Sequence, residues 1–268
     1  MAELERVQRM ASTIATIQAR WGERALVPAR EAPRQGILPS GIAELDAILA
    51  DESTPGSSGR GSKASARTAS TVLSAGFPKG HLTELIGCGT AGHLIAAAGA
   101  LAQAQRQRLH AVYVDVGAQA DVAALARCGV TLDGLAILRA EDLPQGLAMT
   151  GDLLRAGFGG VAVFDRVHDV ATLGNAEYLA SLKQALRDWA PLLGHSAATL
   201  LVLTDTALPG QYAEGLPLPF AADLRLLFER QRWLLQHRQI VGYVTRVTVI
   251  KSRSGAMGGR TNLTIKIA

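Results

Sequence analysis

The stretch Gly80-His81-Leu82-Thr83-Glu84-Leu85-Ile86-Gly87-Cys88-Gly89-Thr90-Ala91-Gly92-His93-Leu94 decides how the chain is read. A short apolar-leaning run leads into a glycine-rich turn, and Ile95–Gln105 beyond it is rich in Ala and Leu and readily helical. Strand, glycine-rich turn and helix are the setting of a P-loop, G-x-x-x-x-G-K-[ST]. Gly87 and Gly92 have that spacing and Gly89 lies between them, but His93 and Leu94 stand where the lysine and hydroxyl belong. A P-loop lysine brings a fixed charge worth roughly 4 kcal/mol at contact distance with an effective dielectric near 20. A histidine is mostly neutral at pH 7. Leucine has no oxygen for Mg²⁺, which needs oxygen ligands. The frame is that of a nucleotide site, and the groups that would do its chemistry are missing.

Outward from this stretch, the 268 residues are 48% hydrophobic and 19% charged, enough for one large α/β domain. Cys88 and Cys128 make neither a disulfide framework nor a zinc pattern, and no metal or cofactor is expected. No apolar run reaches the ~18 residues of a membrane span. The polar N-terminus resembles no secretory signal, so a cytoplasmic protein is expected. Net charge is +4, unevenly spread: from Arg225 to Ala268 there are nine Lys/Arg against the single acid Glu229. Such a basic segment suits either a polyanion contact or strand edges protected by charge.

In chain order, Leu4, Val7, Met10, Ala11, Ile14, Ile17 and Trp21 fall at helical spacing, which predicts an amphipathic helix ending near Gly22. Its apolar stripe packs either on its own core or on a neighbouring subunit. Residues 37–50 read as a turn and short helix. Asp51–Ser74, dominated by Gly, Ser, Thr and Ala, reads as a flexible insertion loop. Beyond the turn, strands are expected at Ala111–Asp115, Ala136–Arg139, Gly160–Asp165 and Thr199–Thr204. Helices are expected at Asp121–Cys128, Leu143–Ala156 and Asn175–Leu193. This alternation predicts a mostly parallel sheet covered on both faces. Leu224–Gln231, Gly242–Ser252 and Thr261–Ile267 alternate apolar with polar and read as antiparallel strands joined by Gly-rich turns.

Placed in order, these pieces resemble the core of the RecA recombinase family. Ile17-Gln18-Ala19-Arg20-Trp21-Gly22 is similar to the end of the helix that joins RecA protomers. Leu38-Pro39-Ser40-Gly41-Ile42-Ala43-Glu44-Leu45-Asp46 resembles the family's S-T-G…L-D segment. Gly76-Phe77-Pro78-Lys79-Gly80 through Gly87 matches its G-x-P-x-G-x-[IL]-x-E-[IL]-x-G run. Val241 through Lys251 resembles the strand pair after the second DNA-binding loop. The resemblance implies an N-terminal docking helix over 1–25, with Ile14, Ile17 and Trp21 as its contacts. It also implies a RecA-like α/β core over 36–268, containing the 51–74 loop, with no separate C-terminal domain.

Departures from the family cluster where ATP would sit. Gly117 replaces the glutamate that activates water, Ala124 the tyrosine on adenine, and Asp205-Thr206 the glutamine that senses nucleotide. With His93 and Leu94, that makes five altered positions. Asp165, the strand-end acid that orients Mg²⁺ in the family, remains, and reads as a cap or turn residue. Lys251 and Arg253 lie where RecA-like proteins reach a neighbour's nucleotide; they serve either in trans or as edge-strand charge. The long Leu208–Pro219 segment sits where the second DNA-binding loop sits. Tyr212 is a candidate to stack on a base, and Arg225, Arg230, Arg232 and Arg238 to meet phosphates.

Three functions are carried forward. The first is a non-catalytic DNA-repair accessory resembling the ImuA group, tied to the SOS response and translesion synthesis, that docks on RecA or error-prone polymerase subunits. The second is a single-stranded-DNA-binding mediator that joins or caps RecA filaments. The third is an ATPase with an unusual site.

Overall fold

The computed structural model describes residues 2–22, 36–50, 75–253 and 257–267. The insertion expected at 51–74 lies outside them. The chain divides into two units, Met1–Gln35 and Gly36–Ala268. In the first, Ala2–Trp21 forms helix α1, with Ile14 and Ile17 half-buried and Met10 exposed. No helix among the described residues is long and apolar enough to cross a membrane.

The second unit is an α/β core with a mostly parallel central sheet. A small antiparallel pair, β1 (Ile37–Leu38) and β2 (Phe77–Pro78), brackets α2 (Ala43–Leu49). Then follow β3 (His81–Gly87), α3 (His93–Arg106), β4 (His110–Val116), α4 (Val122–Arg127) and β5 (Leu135–Ala140). Next come α5 (Leu143–Arg155), β6 (Gly160–His168), α6 (Asp169–Gly174), α7 (Ala176–Gly194) and β7 (Thr199–Asp205). Helix α8 (Leu218–Ala221) precedes β8 (Leu224–Gln236), β9 (Gln239–Ser252) and β10 (Arg260–Lys266). The eight-stranded sheet runs β10-β9-β8-β3-β7-β6-β4-β5. From β8 to β5 the pairings are parallel; β9 and β10 add antiparallel strands at the other end.

The central parallel strands β3, β4, β6 and β7 are buried on both faces, which is why their sequences are near-continuous apolar runs without strict alternation. One face carries Leu85, Tyr113, Val163 and Leu201 under the alanine-rich α3. The other carries Val114, Phe164 and Val202 under Leu147 of α5 and Leu182, Leu186 and Trp189 of α7. Buried alanines form the sheet-facing side of α3, while on the far side the Trp189 ring packs 6.2 Å from that of Phe164. Helix starts follow their capping side chains. Asp121 accepts from the Ala124 amide, Asp142 from Gln145, and Asn175 from Glu177 and Tyr178.

One sequence expectation is corrected. The β8–β9 connection is not Gly-rich: the strands run on to Gln236 and from Gln239, joined by His237 and Arg238 at φ 47° and 66°. Left-handed backbone in both turn residues is the geometry of a tight two-residue hairpin, normally marked by Asn or Gly. His and Arg carry no such signal, so the hairpin is several residues longer than its composition suggests.

Candidate functional site

β3 delivers Gly87 to the turn at the C-terminal edge of the sheet, and Gly92, at φ 98°, caps α3. The strand–turn–helix frame expected from the spacing is therefore present. His93, however, points inward and is only 4% exposed. Its imidazole lies against Gly87, where an added Cβ would come within 2.2 Å of Nδ1. Among the described residues that Nδ1 has no hydrogen-bond partner, while Nε2 lies 3.1 Å from Asp205 Oδ1 at the end of β7.

Asp205 passes the contact on. Its Oδ2 accepts from Arg166 Nη1 at 2.6 Å, and Arg166 Nε donates to Asp165 Oδ1 at 2.7 Å. The hydroxyl of Tyr113, on β4, donates to Asp165 Oδ2. A register shift between Asp165 and Val167 interrupts the β6–β7 ladder at Arg166, and bulges of this kind re-aim a side chain. A continuous polar chain thus runs His93–Asp205–Arg166–Asp165–Tyr113 beneath the turn. Burial raises the Asp205 carboxyl, but hydrogen bonds from His93 and Arg166 outweigh it and hold the group below the ordinary carboxylate range. Burial would lower Arg166, and the two carboxylates more than offset this. Burial, then Asp165, pushes the Tyr113 phenol well above its ordinary value.

Asp165 is therefore neither a cap nor a turn residue, as its strand-end position suggested; both oxygens belong to this chain. Asp115, earlier on β4, is the turn residue, accepting from the Gln119 and Ala120 amides. Gly117 follows at φ 79°, left-handed backbone that a glutamate would occupy only under strain. Leu94 brings no oxygen. This donor set does not fit a magnesium–nucleotide as a P-loop holds one. Beside the turn a cleft of about 910 Å³ remains, lined by Thr90, Leu94, Ala124, Arg127, Arg166 and Ile265 among others. Tyr113 and Arg166 carried no signal in isolation; only the adjacency of Asp165 and Arg166 at a strand end hinted at a pair.

The residues assigned to DNA separate into two groups. Tyr212 and Arg225 turn inward. Arg225 Nε donates to Glu84 Oε2 at 2.6 Å, Tyr212 Oη to Glu84 Oε1 at 2.7 Å, and Thr204 Oγ1 to the same oxygen at 2.8 Å. The Arg225 guanidinium lies 4.6 Å from the centre of the Tyr212 ring. Glu84 is fully buried, and a buried carboxylate requires such partners. Base stacking by Tyr212 and a phosphate contact by Arg225 are both displaced by this cluster. Arg230, Arg232 and Arg238 stay exposed on the hairpin. Arg230 lies 4.3 Å over the Trp233 ring and reaches the Thr90 carbonyl at 3.3 Å. Of the two residues expected at a subunit interface, Lys251 donates to the Pro219 and Phe220 carbonyls of its own chain. Arg253 is exposed and pairs with Asp223 at 2.8 Å.

The family model of the RecA N-terminal domain matches residues 57–186, just under half of the chain. Protein RecA of Desulforapulum autotrophicum is 26% identical over 196 residues, covering 66% of this chain and 56% of that protein. Protein RecA of Thermotoga neapolitana is 26% identical over 198 residues, with the same coverage. Protein RecA of Bacillus anthracis is 25% identical over 196 residues, covering 66% and 57%. The chain thus spans just over half the length of these relatives. The α/β core with its mostly parallel sheet is consistent with a RecA-like core, and the chain is similar to the RecA N-terminal domain over the matched residues.

Proposed function

We propose that this protein is a non-catalytic RecA-like accessory of DNA repair that docks on RecA or on an error-prone polymerase complex in translesion synthesis, in the manner of the ImuA group it resembles. The observation that carries the reading is the chain from His93 to Tyr113. His93 is buried against Gly87, and side chains of the protein itself occupy both oxygens of Asp165. A fold that keeps the frame of a nucleotide site while engaging its strand-end acid internally suits a docking role better than turnover. The test is ATP hydrolysis by the purified protein with and without single-stranded DNA, beside its capture on immobilised RecA filaments. No hydrolysis together with capture is expected. Hydrolysis that disappears in Asp165→Asn would overturn the reading.

A second reading, direct contact with single-stranded DNA, is favoured by one arrangement. Arg246 on β9 sits in register with Asn262 on β10, and Arg260 with Thr248. Arg232 on β8 sits in register with Val244. Side chains alternate along a strand, so Arg232, Arg246, Arg260 and Lys266, all exposed, share one face of the antiparallel wing. Arg260, Arg246 and Arg232 form a diagonal with steps of roughly 8 Å, from strand spacings near 4.8 Å and two-residue rises near 6.8 Å. If this face holds the DNA backbone, each Arg→Ala lowers the salt slope of binding by about 0.7. Unchanged slopes would remove the face from the account.

A further inference from the structure

The hairpin that closes β8 on β9 projects past the rest of the sheet. β3 pairs with β8 only from Leu224 to Leu227. A little further on, the loop at Gly210 lies against Glu229, and Arg230 reaches back to Thr90. From Gln231 to Gln236, β8 is paired with β9 on one side, and no described strand pairs with it on the other. Among the described residues that leaves an open edge of six residues, roughly 20 Å at 3.4 Å per residue, with register shifts beside Gln231 and between Leu234 and Leu235 and with amides and carbonyls free to pair.

The side chains flanking this edge sort by face. Trp233 is opposite Tyr243, and Leu235 opposite Ile240. Trp233, Leu235 and Ile240 are 39%, 66% and 52% exposed, an apolar patch on the face shared with Arg230. Arg232 projects on the opposite face, and Arg238 stands at the tip. From Arg230 to Ala268 the sequence contains no Asp or Glu.

We propose that the edge of β8 from Gln231 to Gln236 is a docking strand for an extended segment of a partner protein in which apolar and acidic residues alternate. Strand addition satisfies the open backbone groups and sets the partner's side chains alternately on the two faces. Apolar residues then pack beside Trp233 and Leu235, with Ile240 one strand further in, and acidic ones face Arg232. Nucleic acid is a poorer fit, because Leu235 and Ile240 offer nothing to stack and a phosphate backbone cannot complete a ladder. A second copy paired edge to edge would bring Arg232 near its own counterpart, and like charges across a pair are destabilising. The inference deepens the docking reading by naming the surface, and its test uses neither ATP nor RecA.

The probe is a fluorescein-labelled eight-residue peptide alternating leucine and glutamate, followed by anisotropy against the full chain. Expected are binding at least tenfold tighter than for the leucine–lysine counterpart and a loss of at least tenfold when the ladder-forming amides of the peptide are N-methylated. A similar loss is expected in Leu235→Asp and in Trp233→Ser. Arg232→Ala weakens binding two- to fivefold and flattens its salt dependence. Leu235→Asp alters an exposed side chain, and its circular dichroism should match the parent, so the test survives if Trp233→Ser does not fold. Four results would each overturn the proposal: no binding at millimolar peptide, equal binding of the N-methylated peptide, a labelled oligonucleotide showing the same dependence on Leu235, or a dimer in sedimentation that Leu235→Asp dissolves. None of these bears on ATP hydrolysis or filament capture, so the two readings fail separately.

Discussion

Replacing Arg225 with Ala tests whether the Glu84 cluster is part of the core or a surface that nucleic acid can claim. Glu84 is fully buried and has three described partners, Arg225, Tyr212 and Thr204. Only Arg225 carries positive charge, and its side chain is 12% exposed. Arg225→Ala leaves a carboxylate in the interior with two neutral donors. Removing one partner of a buried pair costs about 3–5 kcal/mol, most of it the penalty on the charge left behind. For a domain of this size that corresponds to a fall in Tm of roughly 6–20 °C. Adding Glu84→Gln to Arg225→Ala should recover much of the loss, because the stranded charge is then gone. The assay is urea or thermal unfolding followed by circular dichroism on all four members of the cycle. Single-stranded-DNA binding is measured in parallel at two salt concentrations. A destabilisation below about 1 kcal/mol would refute the buried-charge argument. A fall in the salt slope by about 0.7 with stability intact would return Arg225 to the phosphate-binding set.

Asp205→Asn should destabilise the core at neutral pH, with a pH signature. The folded-state carboxyl is held below its unfolded value of about 3.9, so its contribution is present above that value and is lost as pH falls through the lower one. The gap between the parent and Asp205→Asn, read from urea midpoints, should narrow as pH falls below about 4; a gap constant with pH would show that the carboxylate charge is not what matters. His93→Lys combined with Leu94→Thr restores the P-loop letters but not the site, because Arg166 still occupies Asp165 and Gly117 still lacks a carboxylate. ATP turnover in that variant, measured by phosphate release, should stay at background, and a gain in turnover would show that the two letters alone were limiting. Ile14→Asp or Ile17→Asp in α1 should abolish association with the partner while Tm moves by no more than about 2 °C. Unfolding of the core would instead assign the helix to it.

Much of this protein is legible without coordinates because local signals agree. Apolar runs of five to seven residues, separated by capped helices, specify a parallel sheet covered on both faces. The glycines at 76, 80, 87 and 92 set the strand–turn–helix at its centre. The departures of His93 and Leu94 from the P-loop pattern are also plain, since they stand at fixed positions within it, and Gly117 departs from the family the sequence resembles. What tertiary structure alone decided is where the remaining polar groups go. Asp165 looked like a strand-end cap and is a link in a chain spanning three strands, because Tyr113, Arg166 and Asp205 meet only once β4, β6 and β7 lie side by side. Tyr212 and Arg225 looked like surface groups in a loop and a basic segment, yet Glu84, more than a hundred residues earlier, draws both inward because a buried carboxylate must be satisfied. The hairpin edge with Trp233, Leu235 and Ile240 was hidden for a different reason: its turn residues, His237 and Arg238, carry no turn signal, and an unpaired edge exists only relative to the strands that stop short of it. Periodicity and turn chemistry act between neighbours in sequence and can be read there; charge satisfaction and edge exposure depend on which distant strands become neighbours in space.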